Sequence, residues 1–392
     1  MVSLEPFDAF SSFQKNMGAN MSVINFVKKN TVVCIAFLCA AITCFFVPPD
    51  GEYLGYFDFK TLSCLFCTLA VVCALKNINF FSFVAHRIVC LAGDLRRAIL
   101  ALVYITFIGS MLIANDMALI TFLPLGYYVL SSTGKTRYMS FTFIMQNIAA
   151  NLGGMLTPFG NPQNLYLYTY FNIDTVEFVK IMFPPFLLAI TLITVCCLFI
   201  KPEKLELKND ERQTTVKWRA VVYLILFALA IVMVFRLIPY YICLPVIFAG
   251  VFLLDRKALR SVDYGLLLTF AAFFVFSGNL ARIPAVSVFL SSLIEKNTLL
   301  VSALSCQFIS NVPSAILLSK FTNSYAELLV GVNIGGVGTL IASLASLITF
   351  KEYMKYKPQR VFSYIKEFLV YNFGMLATLL LEMNLVFGHL PL

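Results

Sequence analysis

The chain has 392 residues, of which 60% are hydrophobic and 12% are charged. A water-soluble domain usually carries about 25% charged residues, so this composition excludes an ordinary soluble domain and indicates an all-α polytopic membrane protein. The net charge of +9 does not indicate nucleic-acid binding, because the basic residues lie in short loops between apolar segments.

In chain order, residues 1–30 are predicted to form a cytoplasmic N-terminal segment. Lys28 and Lys29 precede an apolar run, as in a signal peptide, but no small-x-small cleavage site follows before Val47-Pro48-Pro49. We therefore expect an uncleaved first membrane helix.

Seven apolar runs come close to the length of about 20 residues that a membrane span needs. They lie at 31–47, 57–76, 176–200, 218–236, 239–254, 262–280 and 362–387.

Four further apolar runs are interrupted near their middles. Those at 97–130 and 297–321 are predicted to be re-entrant hairpins, and those at 138–170 and 325–350 to be broken membrane helices. Residues 79–93 and 283–295 are predicted to lie along the membrane surface, each ahead of a hairpin.

The order of these elements repeats around a polar cytoplasmic linker at 201–217, which separates residues 31–200 from 218–392, except that the first half has one span fewer. In the broken helices, Asn151-Leu-Gly153-Gly154-x-x-Thr157 aligns without gaps with Asn333-Ile-Gly335-Gly336-x-x-Thr339. Two halves with one layout are typical of a secondary transporter built from inverted repeats.

This layout predicts about nine crossings plus two hairpins. Most of the 29 basic residues then fall on the side of the N-terminus, which predicts a cytoplasmic N-terminus and a C-terminus outside the plasma membrane.

The stretch from Ala150 to Tyr168 concentrates residues that break helices or carry amides. Pro158 and Pro162 must interrupt the helix, and freed backbone groups survive in a membrane only beside protein or water. Together with Asn161, Gln163 and Asn164, they predict a binding site for a small polar solute or ion, although each residue singly is also typical of packing between helices.

Each hairpin interruption carries an asparagine, Asn115 or Asn311, where a half-helix begins. The positive end of a half-helix favours an anion. Asp116 is the one acid in the interrupted motifs; it is either a proton or cation site that couples transport or a helix cap, and the two roles are compatible.

Other motifs are given less weight. Cys64 and Cys67 form a CxxC that is more typical of a membrane helix than of a metal or redox pair, and no disulfide framework or cofactor is predicted. The GGVG at 335–338 follows no strand, so it does not predict a phosphate loop. His86 and His389 lie at opposite faces in this topology, and no enzyme is predicted.

The segments ANDMALITF and NLGGMLTPFGNPQNL, with SNVPSAILLSKF and NIGGVGTLIASLASL, resemble the ion transporter superfamily. That group includes arsenite permeases, citrate permeases, divalent anion:sodium symporters and D-type sodium/proton antiporters. The resemblance implies two inverted repeats, an elevator motion of hairpins and broken helices against a scaffold, and a homodimer.

Residue by residue, the resemblance implies one sodium site at Asn115, Asn151 and Gly153, and a second at Asn311, Asn333 and Gly335. It implies that the solute lies between the hairpin tips, near Ser310, Ser314, Thr157, Asn161, Thr339 and Ser343. The Ser-Asn-Thr tips of the divalent anion branch are absent here, because Ala114, Asp116 and Val312 take the outer positions.

The sequence therefore predicts a secondary transporter of a small anion or oxyacid, carboxylate or arsenite-like, coupled to Na⁺ or H⁺. A Na⁺/H⁺ antiporter on the same fold is the first alternative. A passive channel is the second, because Asn161-Pro162 is similar to the asparagine-proline turns of water channels, although Ser343-Leu344 takes the matching place in the second half.

Overall fold

The computed structural model describes residues 31–90, 92–204 and 217–388. The predicted N-terminal segment, most of the linker, and His389 lie outside these residues, and the side chain of His86 is not described. The described chain is helical and contains no strand.

Eighteen α-helices follow one another along the described residues. They are α1 Thr31–Phe46, α2 Phe59–Asn77, α3 Phe80–Cys90, α4 Leu95–Ile113, α5 Asn115–Ser132, α6 Met139–Gly153, α7 Pro162–Tyr170, α8 Thr175–Leu198, α9 Lys217–Val234, α10 Tyr240–Leu254, α11 Arg256–Arg260, α12 Tyr264–Arg282, α13 Pro284–Lys296, α14 Thr298–Ile309, α15 Asn311–Leu318, α16 Tyr325–Ile334, α17 Leu344–Tyr356 and α18 Val361–Val386.

Six helices of the described chain are long and apolar enough to cross a membrane, or up to seven if a bent pair is counted as one span. Five of the six, α2, α8, α9, α12 and α18, fall on predicted spans. The sixth, α4, is the first arm of the predicted hairpin 97–130, and its 19 residues make it longer than expected for a re-entrant arm. The protein is therefore a multi-pass membrane protein.

The remaining predicted crossings are built from shorter pieces. Helices α1 and α10 are apolar but have 16 and 15 residues. Apart from these crossings, the predicted surface helix α13 meets α14, the first arm of the second hairpin, at a bend of 116°.

All four predicted interruptions are breaks between helices. The first predicted hairpin is interrupted at Ala114 and the second at Ser310, while the broken helices are interrupted between α6 and α7 and between α16 and α17. At both tips the backbone has the same unusual conformation, with φ 63° and ψ 149° at Ala114 and φ 74° and ψ 158° at Ser310. A residue with a β-carbon is strained at these angles.

Several helices that begin in loops have a side-chain cap, whose oxygen accepts a backbone N–H of the first turn. This holds for helices α2, α4, α8, α11, α12 and α14, whose caps are Asp58, Asp94, Asp174, Asp255, Asp263 and Asn297.

The base of the first hairpin is held by charge. Glu203 accepts hydrogen bonds from Lys135 Nζ at 2.5 Å and Tyr138 Oη at 2.9 Å, and it also pairs with Arg137. These partners, Lys135 first, lower the pKa of Glu203 to about 2. The backbone carbonyl of Glu203 accepts the N–H of Leu95 at 2.8 Å, so both arms of the hairpin are tied to the end of α8.

Candidate functional site

The four breaks meet at a buried cluster of carboxamide side chains. Asn115 donates to Asn151 Oδ1 at 3.3 Å, which joins the tip of the first hairpin to the first broken helix. Asn161 donates to the carbonyl of Asn151 at 3.2 Å and to Asn333 Oδ1 at 3.3 Å, which joins the two broken helices. Gln163 also donates to Asn333 Oδ1, at 3.4 Å.

The centre of the cluster is Gly336. A β-carbon placed there would lie 3.1 Å from Asn311 Nδ2, 3.2 Å from the carbonyl of Asn333 and 3.5 Å from Asn151 Oδ1. Both broken helices and the tip of the second hairpin therefore meet at one point. The side chains of Asn151 and Asn333 are each 1% exposed, so these polar groups are shielded from the surroundings of the protein.

The same contacts recur in both halves. Asn151 donates to the carbonyl of Asn147 and Asn333 to that of Leu329, the residues four positions earlier. At the tips, Asn115 Oδ1 accepts the N–H of Asp116, and Asn311 Oδ1 accepts the N–H of Val312, each at 2.9 Å.

The hydroxyls of the two predicted threonines hold the breaks against the hairpins. Thr157 Oγ1 donates to the carbonyl of Met111 at 2.7 Å, and Thr339 Oγ1 donates to that of Gln307 at 3.0 Å. The glycine at the end of the first half-helix of each broken helix packs against the hairpin of its own half. A β-carbon at Gly153 would clash with the carbonyl of Phe107 in the first hairpin, and one at Gly335 would lie 2.8 Å from Ala303 Cα in the second.

The predicted serines divide between two places. Ser310 lies at the second tip, where its Oγ is 3.4 Å from both the carbonyl of Ala342 and Asn311 Oδ1, and Ser314 is buried one turn along the same half-helix. Ser343 instead caps α17, because its Oγ accepts the N–H of Ser346. It belongs to a neighbouring polar group that the sequence analysis missed, formed by Asn147, Ser346, Thr349 and Asn372.

Three half-helices begin at the cluster without a side-chain cap. The residues at the cap positions of α5, α15 and α7 are Ala114, Ser310 and Asn161, and none of them caps its helix. Helices α6, α10, α13, α16 and α18 also lack a side-chain cap, whereas α17, which begins after the second break, is capped by Ser343. Uncapped helix N-termini present N–H groups and a positive dipole end to the site.

Asp116 lies in the first turn of α5 and is half-buried. Its Oδ1 is shielded from solvent and has no hydrogen-bond partner among the described residues. Its backbone N–H donates to Oδ1 of the neighbouring Asn115 at 2.9 Å. No cluster of histidine, cysteine or acidic residues that could hold a metal ion occurs in the described parts of the chain.

Two amides close the breaks: Asn164, which the sequence places among the polar residues of the first break, and Gln307, which was not predicted. Asn164 Nδ2 donates to the carbonyls of Gly154, Met155 and Thr157 at 3.1–3.2 Å, and its Oδ1 accepts from Asn333 at 2.6 Å. In the second half, Gln307 Nε2 donates to the carbonyls of Gly335 and Val337 at 2.8 and 3.2 Å. The available signal for Gln307 was an amide inside an otherwise apolar hairpin arm.

A family model described as "Citrate transporter" matches residues 21–345. The chain belongs to the citrate transporter family. An uncharacterized transporter of Methanocaldococcus jannaschii is 33% identical over 302 residues, which are 76% of this chain and 82% of that protein. This membrane protein is therefore a transporter, as the resemblance to the ion transporter superfamily implied.

Two further relatives are similar to this transporter. The inner membrane protein YbiR of Escherichia coli is 29% identical over 318 residues, 78% of this chain and 83% of its own. A silicon efflux transporter of Oryza sativa is 26% identical over 158 residues, 40% of this chain and 32% of its own.

Proposed function

We propose that this transporter moves a small anion or oxyacid across the plasma membrane, coupled to Na⁺ or H⁺. The observation that carries the proposal is the meeting of both broken helices and the second hairpin tip at Gly336. Such a centre offers amide oxygens and backbone carbonyls to a cation and uncapped helix N-termini to an anion.

The ligands follow from this division. Asn115, Asn151, Asn311 and Asn333 would supply oxygens to sodium, and the N–H groups of the half-helices that begin at Asn115 and Asn311 would bind the anion. The names of the relatives support this chemistry, since citrate is a carboxylate and silicon is carried in water as an oxyacid.

The recurrence of the same contacts in two halves supports inverted repeats. In that arrangement each tip ends at the broken helix of its own half, inside the bilayer, and the full layout has about nine crossings. Hairpins and broken helices would move together against a scaffold that includes α2, α9 and α12, by an elevator motion. A homodimer held by the scaffold would suit such a motion.

The test is counterflow in proteoliposomes with labelled citrate, succinate, arsenite, phosphate and silicic acid, each with and without sodium. We expect one of these to exchange in a sodium- or proton-dependent way, and the double substitution of Asn115 and Asn311 by Ala to weaken its transport by at least about tenfold. The exposed Asn323→Ala is the matched control. Flux that rises linearly with concentration and shows no counterflow would identify a channel instead.

A Na⁺/H⁺ antiporter is the second candidate, and it is favoured by Asp116, whose buried Oδ1 lacks a partner in the described chain. Asp116→Asn should abolish ion-coupled flux and leave folding intact, while the exposed Glu295→Gln should change neither. Flux set by sodium and pH alone, with no response to any of the five solutes, would favour the antiporter. Unchanged coupled flux in Asp116→Asn would remove this residue from the mechanism.

A further inference from the structure

A second polar cavity lies apart from the amide cluster. Its volume is about 330 Å³, within the range of about 300–1,000 Å³ that is usual for small-molecule sites. Its walls include Asp58, Lys60, Tyr166, Tyr170 and Lys320. We call this space the lysine cavity.

The lysine cavity has a net positive charge, because two lysines and one carboxylate line it. Lys60 and Lys320 both line it, and neither forms an ion pair within the described residues. The carboxylate of Asp58 in the same wall offsets part of this charge; its Oδ1 accepts the N–H of Thr61 and its Oδ2 accepts the Thr61 hydroxyl. Lys320 Nζ lies 4.6 Å from the centre of the Tyr170 ring, which holds the ammonium at the cavity wall.

A third cation, Arg236, lies beside the negative end of a helix in this region. Helix α7 ends at the cavity, and the C-terminal carbonyls of a helix repel anions. Arg236 donates to the carbonyl of Tyr168 and stacks over its ring at 4.2 Å. The carbonyl of Tyr168, which also accepts the N–H of Ile173 at 3.1 Å, is thereby partnered by a positive charge, so the helix end opposes an anion in the cavity less strongly.

The lysine cavity connects the two groups of elements that the elevator proposal sets in relative motion. Lys60 belongs to α2, while Tyr166 and Tyr170 belong to α7, and Lys320 lies at the end of the second hairpin, just after α15. Helix α7, which has nine residues and a length of about 14 Å, begins at the amide cluster and ends at the cavity. Tyr166 Oη and Ser319 Oγ, 2.8 Å apart, tie α7 to the hairpin.

We propose that the lysine cavity is a second binding site, which takes the carboxylate or phosphate group of a soluble polyanion before it reaches the amide cluster. The role of the cavity as the place where substrate enters rests on the proposed function. This role would narrow the substrate class to anions, because a neutral oxyacid has no charge for the lysines to attract. As an anion site it rests only on the geometry of Lys60 and Lys320.

The direct test is protection of individual lysines from an amine-reactive acetylating reagent, measured by mass spectrometry on the full chain in neutral phosphatidylcholine liposomes. We expect citrate or phosphate to slow the modification of Lys60 and Lys320 several-fold. Lys180, an exposed residue on the predicted outer side, should be unaffected and serves as the internal control. Equal or absent protection at all three lysines would overturn the proposal.

A second arm separates soluble anions from lipid headgroups, which present the same phosphate chemistry. Liposomes with phosphatidylglycerol are compared with neutral ones, with and without citrate. Protection by citrate in neutral liposomes supports the proposal. Protection by phosphatidylglycerol alone, with no further effect of citrate, would make the cavity a lipid site and overturn it.

A transport arm distinguishes failure of this inference from failure of the proposed function. If the wild type shows counterflow of an anion, the double substitution Lys60→Gln and Lys320→Gln should raise its KM by about tenfold with little change in maximal rate, whereas Lys180→Gln should not. An unchanged KM would overturn the entry role while leaving the transporter intact. Absence of counterflow in the wild type would overturn the proposed function, while lysine protection would still decide the anion site.

Discussion

The two broken helices solve the same problem with different side chains. In the first, the freed carbonyls of Gly154, Met155 and Thr157 are bonded by Asn164, which belongs to the half-helix just beyond the break. In the second, the freed groups are bonded by Gln307, which belongs to the neighbouring hairpin. The alignment of the halves places Ser346 opposite Asn164 and Met111 opposite Gln307, so each half lacks the amide that the other uses.

This difference has a mechanical meaning. The first break is closed mainly by its own chain, and its hydrogen bond to the hairpin beside it comes from Thr157, so its shape depends less on that hairpin. The second break takes its shape from the hairpin, since Gln307 Oε1 also accepts the N–H of Thr339 at 2.8 Å. Movement of the second hairpin would therefore be felt directly by the backbone around Gly336, and movement of the first hairpin much less.

The largest effect is expected for Asn164→Ser, which gives the first half the residue of the second. Several buried carbonyls and the amide of Asn333 would lose their partner, at about 1–3 kcal/mol each. We expect the free energy of unfolding to fall by about 3–5 kcal/mol in detergent–denaturant titrations. Adding Met111→Gln to this variant should restore part of the lost unfolding free energy if an amide in the hairpin can replace Asn164. No restoration would show that the two amides are not interchangeable.

Gln307→Met is the reciprocal exchange, and it preserves the approximate volume of the side chain. We expect a loss of about 2–3 kcal/mol of unfolding free energy, since fewer groups are left unpaired. Hydrogen exchange should quicken at 335–339 and also along the second hairpin, 305–316. In Asn164→Ser, quickening should stay within 154–164. Equal spreading in both variants would contradict the difference between the breaks.

Gly336→Ala is expected to weaken solute or ion binding by about tenfold, which corresponds to about 1.4 kcal/mol, while the protein still folds. The added methyl would displace Asn311 or Asn151 by a few tenths of an ångström. Gly374→Ala is the control, because nothing lies within 4 Å of a β-carbon there. Equal binding in both variants would remove Gly336 from the site.

Thr157→Val and Thr339→Val should have small and similar effects, about 1 kcal/mol of unfolding free energy each. Both hydroxyls make the same bond from a break to a hairpin carbonyl. A transport defect beyond this loss in either variant would instead support the prediction that the hydroxyl contacts the solute.

The smallest effect concerns pH and the base of the first hairpin. Glu203 has a pKa of about 2 in the folded protein and an ordinary value of 4.5. Its contribution is therefore present above about pH 4.5 and lost as the pH falls towards about 2. Hydrogen exchange at 133–138 should quicken over this interval in the wild type and be already fast at neutral pH in Glu203→Gln.

Much of this organisation could be predicted from sequence, because hydropathy and helix-breaking residues act locally. The breaks at Ala114 and Ser310 and the interruption before Pro162 follow from short motifs and needed no tertiary information. The resemblance supplied the pairing of Asn115 with Asn151, which the structure shows as a hydrogen bond.

What could not be predicted depends on long-range packing. Gln307 and Gly336 gain their roles only when hairpin and broken helix are side by side, and a lone amide or glycine in an apolar run does not reveal that neighbour. The lysine cavity likewise assembles Lys60 and Lys320 from distant parts of the chain. The length of α4 was also missed, since hydropathy does not tell a long hairpin arm from a span.

The backbone at the two tips has a further consequence for engineering. Alanine and serine there occupy angles that only glycine adopts freely, at a cost of about 1–3 kcal/mol per residue. Each tip therefore keeps a strained backbone conformation, which is maintained by the asparagine that follows it. Substituting glycine at 114 or 310 would remove this backbone strain. The substituted tip would be more flexible, and the protein would unfold at a higher temperature.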